Sequence, residues 1–409
     1  MSTYLLLATR ITLSFIRFGY IALLAIFISE ENLASIFFIS YLITFLAIVV
    51  PIEYHYAVLR KCNFKDDGIC IESIPYYKHH LRTVNFLNYF FIFFASIFLI
   101  FLNFNIDLTI LSSEFNSLNI ILLFFIVFFE TKNNELYRYF QVSRIDLQIL
   151  NLLFRNLLPV VFHLALIIFL ENLSVITSYL CLILFFNILA SSLGNVYMKE
   201  NIFKLDLAPS SPKLSNLKFL KYSFPIVLLS TFYMQLDKIS LAYFLSEKKF
   251  IFYGFYSNIS NFIIIFTQIV VIQPQLKSWY GNNQIKFNFF SLLKKVFIVF
   301  SFACTLLLLA VILSIFLPEV YKINFNASYI FLGYFLYGVS NVLTVMFYVT
   351  KKDHLLLKLE SISVALGMCT FIFLFQLELI PVETFPLIMG LFLFICKAYP
   401  FIVSIKKLN

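Results

Sequence analysis

The segment Val296-Phe-Ile-Val-Phe-Ser-Phe-Ala-Cys-Thr-Leu-Leu-Leu-Leu-Ala-Val-Ile-Leu-Ser-Ile-Phe-Leu317 contains no charged side chain. An α-helix rises about 1.5 Å per residue, so a run of this length crosses the roughly 30 Å hydrocarbon core of a bilayer. A helix also satisfies every backbone polar group within the segment, which lipid demands. Lys294 and Lys295 bound the run at one end and Glu319 at the other. The stretch from Leu293 to Leu317 therefore reads as a transmembrane helix.

Eleven further runs read the same way. They extend from Leu5 to Ile28, Leu33 to Tyr56, Val84 to Asn105, Leu118 to Phe140, Leu147 to Leu170 and Val175 to Met198. In the second half they extend from Tyr222 to Leu245, Ile251 to Leu276, Ala327 to Thr350, Leu355 to Leu377 and Thr384 to Ile405. The expected fold is all-α: a polytopic membrane protein of about 12 transmembrane helices. Composition agrees, because 61% of the 409 residues are hydrophobic and only 12% charged, half the usual share of a soluble domain. Bulk comes from 54 Phe against 9 Gly, side chains suited to facing lipid. The formal net charge of +9 does not point to nucleic acid, since the basic residues lie in short loops rather than on one soluble face. Six cysteines form neither a disulfide framework nor a zinc spacing. The first span lacks a small-residue cleavage site and is expected to be retained.

Alternate loops sort by charge. One side holds Arg60, Lys61, Lys65, Lys78, Arg82, Lys199, Lys204, Lys213, Lys218, Lys221, Lys277, Lys286, Lys294, Lys295, Lys351, Lys352, Lys406 and Lys407. The other holds Glu30, Glu31, Asp107, Glu114, Glu171, Glu319, Glu378 and Glu383. Roughly 21 basic residues on one side face 3 on the other, which places the basic side and both termini in the cytoplasm.

A shift of 217 positions lays Phe27-Ile-Ser-Glu30 over Phe244-Leu-Ser-Glu247, Phe38 over Phe255, Ser40 over Ser257 and Arg60 over Lys277. Six spans separate the copies, so the chain is expected to form two parallel six-helix lobes with a substrate site between them. The boundaries are residues 1–200 for the first lobe, 201–221 for a cytoplasmic linker with Pro209 and Pro212, and 222–409 for the second.

The segment Phe224-Pro-Ile-Val-Leu-Leu-Ser-Thr-Phe-Tyr-Met-Gln-Leu-Asp237-Lys238-Ile-Ser-Leu, followed by Tyr253-Gly254-Phe-Tyr256-Ser257, resembles the seventh and eighth helices of polysaccharide flippases. These are the O-antigen (Wzx-type) branch of the MOP superfamily, which also contains the MATE drug exporters. The first half is similar in outline but has Ile36-Phe37 where a glycine is common. About 35 residues carry the motif. The resemblance implies a MATE-like fold in a bacterial inner membrane. It implies transfer of an undecaprenyl-diphosphate-linked oligosaccharide, an O-antigen or capsule unit, from the cytoplasmic to the periplasmic leaflet by alternating access. It further implies a polysaccharide polymerase and a chain-length regulator as partners. No enzymatic role and no cofactor is expected; a proton or sodium gradient would supply the energy, since no nucleotide-binding glycine loop is present.

Charges at membrane depth cost about 2.5 to 3.5 kcal/mol each on insertion scales, so each one is a candidate. Arg10, Ser14 and Arg17 share a face of the first span, where a cationic stripe would receive a diphosphate; Arg10 can alternatively snorkel to the interface. The apolar part of the fourth span, Leu118 to Phe129, is too short to cross, so its inner half must be polar. Glu130, Asn134 and Arg138 recur there at i+4 spacing, flanked by Thr131 and Glu135. Such a face needs protein or a wet cavity; the alternative ends the bilayer near Glu130. The fifth span adds Asn151 and Arg155 on one face, with Pro159 able to kink the helix beside them. Asp237 is a candidate for ion coupling, or else an ion-pair partner of a neighbouring helix. Lys397 is expected to snorkel inward or to pair with an acid, and Glu360 and His163 are further candidates. No metal site is expected. A cation-coupled drug exporter is one competing reading; a membrane polysaccharide polymerase or ligase is another, disfavoured because the longest outer loop, near Ile106 to Ser117, has neither Arg nor His.

Overall fold

The computed structural model describes residues 2–49, 64–65, 68–69, 74–105, 117–143, 145–170, 174–198, 222, 225–226, 228–272, 289–322, 324–349 and 352–406. Helices stand at all twelve predicted positions among them. They are α1 (Ser2–Phe27), α2 (Glu30–Val49), α3 (Ile74–Asn105), α4 (Ser117–Ser143) and α6 (Val175–Met198). Between these last two lies α5, which runs Ile145–Leu152, widens into a π-helical turn at Leu153–Leu157, and continues as Leu158–Phe169. In the second half α7 comprises a π turn, Phe232–Leu236, and Asp237–Phe244. Helix α8 is Glu247–Thr267 with a π turn at Gln268–Ile272. The last four are α9 (Phe289–Ser314), α10 (Ala327–Val349), α11 (Asp353–Gln376) and α12 (Phe385–Lys406). The only strand pairing among the described residues is Phe64–Lys65 against Gly68–Ile69, two residues on each side.

Eight of these helices, among the described residues, are long and apolar enough to cross a membrane. The chain is a multi-pass membrane protein. Helix α4 is not one of the eight, as its polar inner half requires. Large apolar side chains face outward, Phe297 at 68% exposure and Phe316 at 81%, where lipid replaces water.

The predicted repeat coincides with helix ends. Helix α1 stops at Phe27 and α2 starts at Glu30; α7 stops at Phe244 and α8 starts at Glu247. In both turns the same terminal bond closes the helix, Ile28 N–H to Leu24 O and Leu245 N–H to Leu241 O, each 2.9 Å. Glu30, Glu31 and Glu247 then lie in the first turn of their helices, where a carboxylate is favoured by the positive end of the dipole.

The chain divides into two compact units, residues 1–227 with 239–247, and residues 228–238 with 248–409. The basic stretch 199–221 lies outside the described residues, with the linker expected there. The first unit is centred on Ile39 and Ile43 of α2, Leu123 and Ile126 of α4, and Ile176 and Leu180 of α6. A second cluster joins Ile74 and Tyr77 of α3 to Leu136, Tyr139 and Phe140 of α4 and Met198 of α6. That cluster explains why α3 begins ten residues before the expected Val84: its first turns are anchored to protein. In the second unit α10 and α12 touch through glycine. A Cβ on Gly333 would come within 2.4 Å of the Pro386 carbonyl carbon, and one on Gly390 within 2.8 Å of Gly333 O. Helices in lipid gain little from hydrophobicity against each other, so close backbone approach of this kind supplies the packing.

Candidate functional site

The inner half of α4 is one continuous helix with Thr131, Asn133 and Glu135 buried, so it is covered by protein. Two faces of it are used. Glu135 accepts from His80 of α3 at 2.7 Å, both almost fully buried. Asn133 donates to Asn187 of α6, to its backbone O at 2.9 Å and its Oδ1 at 2.8 Å. The remaining face carries Glu130 and Asn134, four apart as predicted, and both meet Arg155 of α5.

Arg155 is the centre of the site. Its Nη2 donates to the Glu130 carboxylate and to Asn134 Oδ1 at 2.7 Å, and its Nη1 to Asn151 Oδ1 at 3.3 Å. The Arg155 side chain is 8% exposed and that of Glu130 22%. Local sequence explains why Arg155 sits where it does. Pro159 has no N–H and its ring crowds the carbonyl four residues back, that of Arg155. The helix answers with a π turn, Leu158 N–H donating to Leu153 O, and a single π turn inside an α-helix commonly marks a functional site.

Three further polar groups complete the interior of the first unit. Arg17 of α1 is exposed, forms no hydrogen bond or ion pair among the described residues, and lies within electrostatic reach of Tyr20 and Tyr179. Glu130 also acts on Tyr179, whose hydroxyl bonds Ser40 Oγ at 2.8 Å. Tyr20 donates to His163 Nδ1 at 2.6 Å, while His163 Nε2 lies 3.0 Å from Val175 O. A carbonyl only accepts, so the neutral Nε2–H tautomer satisfies both bonds. Arg10 is half-buried, its guanidinium 5.3 Å from the Tyr137 ring centroid, a cation–π contact rather than a solvent-facing one.

The fold thus brings together Arg155, Glu130, Asn134 and Asn151, and both Glu130 and Arg17 lie within electrostatic reach of Tyr179. The side chains of Arg138 and Asp237 lie outside the described residues, although both positions are helical. Sequence spacing does not reveal the Tyr20–His163 and His80–Glu135 bonds, whose partners are 143 and 55 residues apart.

The second unit carries its own buried charges. Lys397 Nζ of α12 contacts Glu360 Oε1 of α11 at 2.5 Å, Ser340 Oγ at 2.9 Å and Thr344 Oγ1 at 2.8 Å, the last two on α10. Both charged side chains are fully buried, so Lys397 pairs with an acid and does not snorkel. Lys238 is also buried; it donates to Met234 O and lies 5.5 Å from the Tyr334 ring. No group of His, Cys, Asp and Glu able to hold a metal occurs among the described residues.

No family model and no curated protein matches this sequence. Solved structures do. A MATE transporter crystallised with MaL6 superposes with a TM-score of 0.59 at 12% identity, over 97% of this chain and 93% of that one. A variant of the Vibrio cholerae MATE transporter VcmN gives 0.56 at 12% identity, over 100% and 98%. A MOP superfamily transporter from Pyrococcus furiosus, described as having a binding pocket of reverse polarity that suggests a different function, gives 0.57 at 12% identity, over 99% and 93%. At these identities the likeness is one of fold: the chain has the MATE-like, MOP-superfamily fold.

Proposed function

We propose that this protein is a membrane transporter of the flippase type. It moves an undecaprenyl-diphosphate-linked oligosaccharide from the cytoplasmic to the outer leaflet of a bacterial inner membrane by alternating access. The observation that carries this reading is the charge inside the first unit. Among the described residues of the first, fourth and fifth spans, Arg10, Arg17, Lys132 and Arg155 outnumber Glu130 and Glu135; Glu130 pairs with Arg155, Glu135 with His80, and Arg17 has no acidic partner among them. An exposed guanidinium at bilayer depth is costly unless a wet cavity or an anionic ligand receives it, and a diphosphate fits a guanidinium bidentately.

The Pyrococcus furiosus neighbour supports the idea that this fold accepts pockets of more than one polarity. The MATE neighbours favour a second reading, a cation-coupled drug exporter. A cationic substrate calls for a carboxylate without a basic partner. Glu130 and Glu360 each already hold one. In the flippase reading Arg17 and Arg155, with Arg10, meet the diphosphate, Glu130, Asn134 and Arg138 meet the first sugars, and Asp237 takes the coupling ion.

Charge removal tests the reading in cells. Arg17→Gln combined with Arg155→Gln is expected to abolish surface polysaccharide while the protein still accumulates in the membrane. Normal polysaccharide in the double variant would refute the assignment. For Asp237, Asp237→Asn is expected to remove the dependence of transport on a proton or sodium gradient; an unchanged dependence would exclude it from coupling.

A further inference from the structure

We propose that α10, α11 and α12 of the second unit form a monovalent-cation site whose occupant is the chain's own Lys397 ammonium. Lys397 Nζ lies 2.5 Å from Glu360 Oε1 of α11, 2.9 Å from Ser340 Oγ of α10 and 2.8 Å from Thr344 Oγ1 of α10. Helical geometry builds the α10 side of this cage, because residues four apart stand one turn above each other on the same face. Thr344 donates its hydroxyl proton to Ser340 O at 3.1 Å, which leaves an oxygen lone pair for the ammonium. The Glu360 and Lys397 side chains are fully buried, and Ser340 is buried beside them. Apart from Lys397, neither Glu360 oxygen has a hydrogen-bond partner among the described residues. The other titratable groups that act on the pair, Tyr233 of α7 and Cys396 of α12, are of types uncharged at neutral pH.

A carboxylate removed from solvent demands a positive partner, since an unpaired buried charge is strongly destabilising. Among the described residues Lys397 supplies the one that Glu360 has. A simple ion pair needs only the carboxylate; here two neutral oxygens converge on the same nitrogen. Oxygen donors grouped around a carboxylate are also what a hard cation selects. The tethered ammonium fills that place without the loss of translational freedom that a free ion incurs on binding. Two consequences follow from an occupied cage. Glu360 is closed to free cations, so the second unit takes neither an ion from solution nor a cationic substrate at this carboxylate. Shortening Lys397 opens the same oxygens to an ammonium ligand. Both rest on the geometry of the cage and hold whatever substrate is transported.

The test uses the full-length protein in detergent. Lys397→Ala keeps Cβ, and n-propylammonium restores the atoms beyond it. The variant is purified in n-propylammonium chloride, and its thermal unfolding is followed at constant ionic strength as that salt replaces choline chloride. Its melting temperature is expected to rise by about 1–2 °C per tenfold increase in propylammonium, as for a ligand that binds only the folded state. Neither the unsubstituted protein nor Lys397→Ala combined with Glu360→Gln should show this rise. No rise in Lys397→Ala, or an equal rise in either control, overturns the proposal. A second reading needs no change at Lys397 and compares sodium, potassium and choline chloride on Asp237→Asn. Equal melting in all three supports a cage already filled, and stabilisation specific to sodium or potassium overturns it.

Discussion

Lys397 and Glu360 are the most exacting pair of side chains in the second unit, because both charges are removed entirely from solvent. The ammonium pairs with the Glu360 carboxylate and donates hydrogen bonds to Ser340 and Thr344. Breaking such a pair leaves one uncompensated charge, whereas replacing both partners by apolar groups is often neutral. Lys397→Met is therefore expected to lower stability in detergent by about 3–5 kcal/mol, and Lys397→Met with Glu360→Leu to recover most of it. Thermal unfolding of the parent, the two single variants and the double variant measures this; additive losses would contradict it. Tyr20→Phe is the parallel test in the first unit: it strands His163 Nδ1 and should cost about 1–3 kcal/mol. At this scale the sequence is partly legible. The i+4 rule places Glu130 and Asn134 on one face correctly, because helical geometry alone decides that. It cannot select among the acids that Lys397 meets, since Glu360 comes from a separate helix 37 residues earlier.

Elements are more legible than residues, for a physical reason. Lipid leaves only helices and closed barrels as spanning structures, and a continuous apolar run of about 20 residues fits the helix, so it nearly determines the element. Boundaries drift where protein rather than lipid covers the helix. Helix α3 starts early because Ile74, Tyr77 and His80 dock on α4 and α6. Sequence expects that Pro159 can kink the fifth span; the structure adds a π turn at Leu153–Leu157 just before it, which sequence does not reveal. Helix contact also gives a prediction. Gly333→Leu must displace the Pro386 backbone and should cost about 1–3 kcal/mol and loosen α10 from α12. A Cβ on Gly19 of α1 would meet nothing within 4 Å, so Gly19→Ala should instead stabilise its helix by about 0.5–1 kcal/mol. Melting temperatures of the two variants should move in opposite directions; a similar fall in both would contradict the packing assigned to Gly333.

The whole molecule has a MATE-like fold whose first unit places arginine at membrane depth. Fold and substrate separate cleanly here. The fold follows from twelve apolar runs and their charge asymmetry, while the substrate class depends on which charges stay without partners, a matter only the packed helices decide. The most direct measurement is translocation by the purified protein in proteoliposomes. Three matched fluorescent probes are compared: an isoprenoid-diphosphate oligosaccharide, the same lipid without its diphosphate, and a lipophilic cationic dye. Transfer of the first probe only is expected, reduced at least about tenfold by Arg17→Gln. Transfer of the cationic dye, with the diphosphate lipid left in place, would contradict the flippase reading.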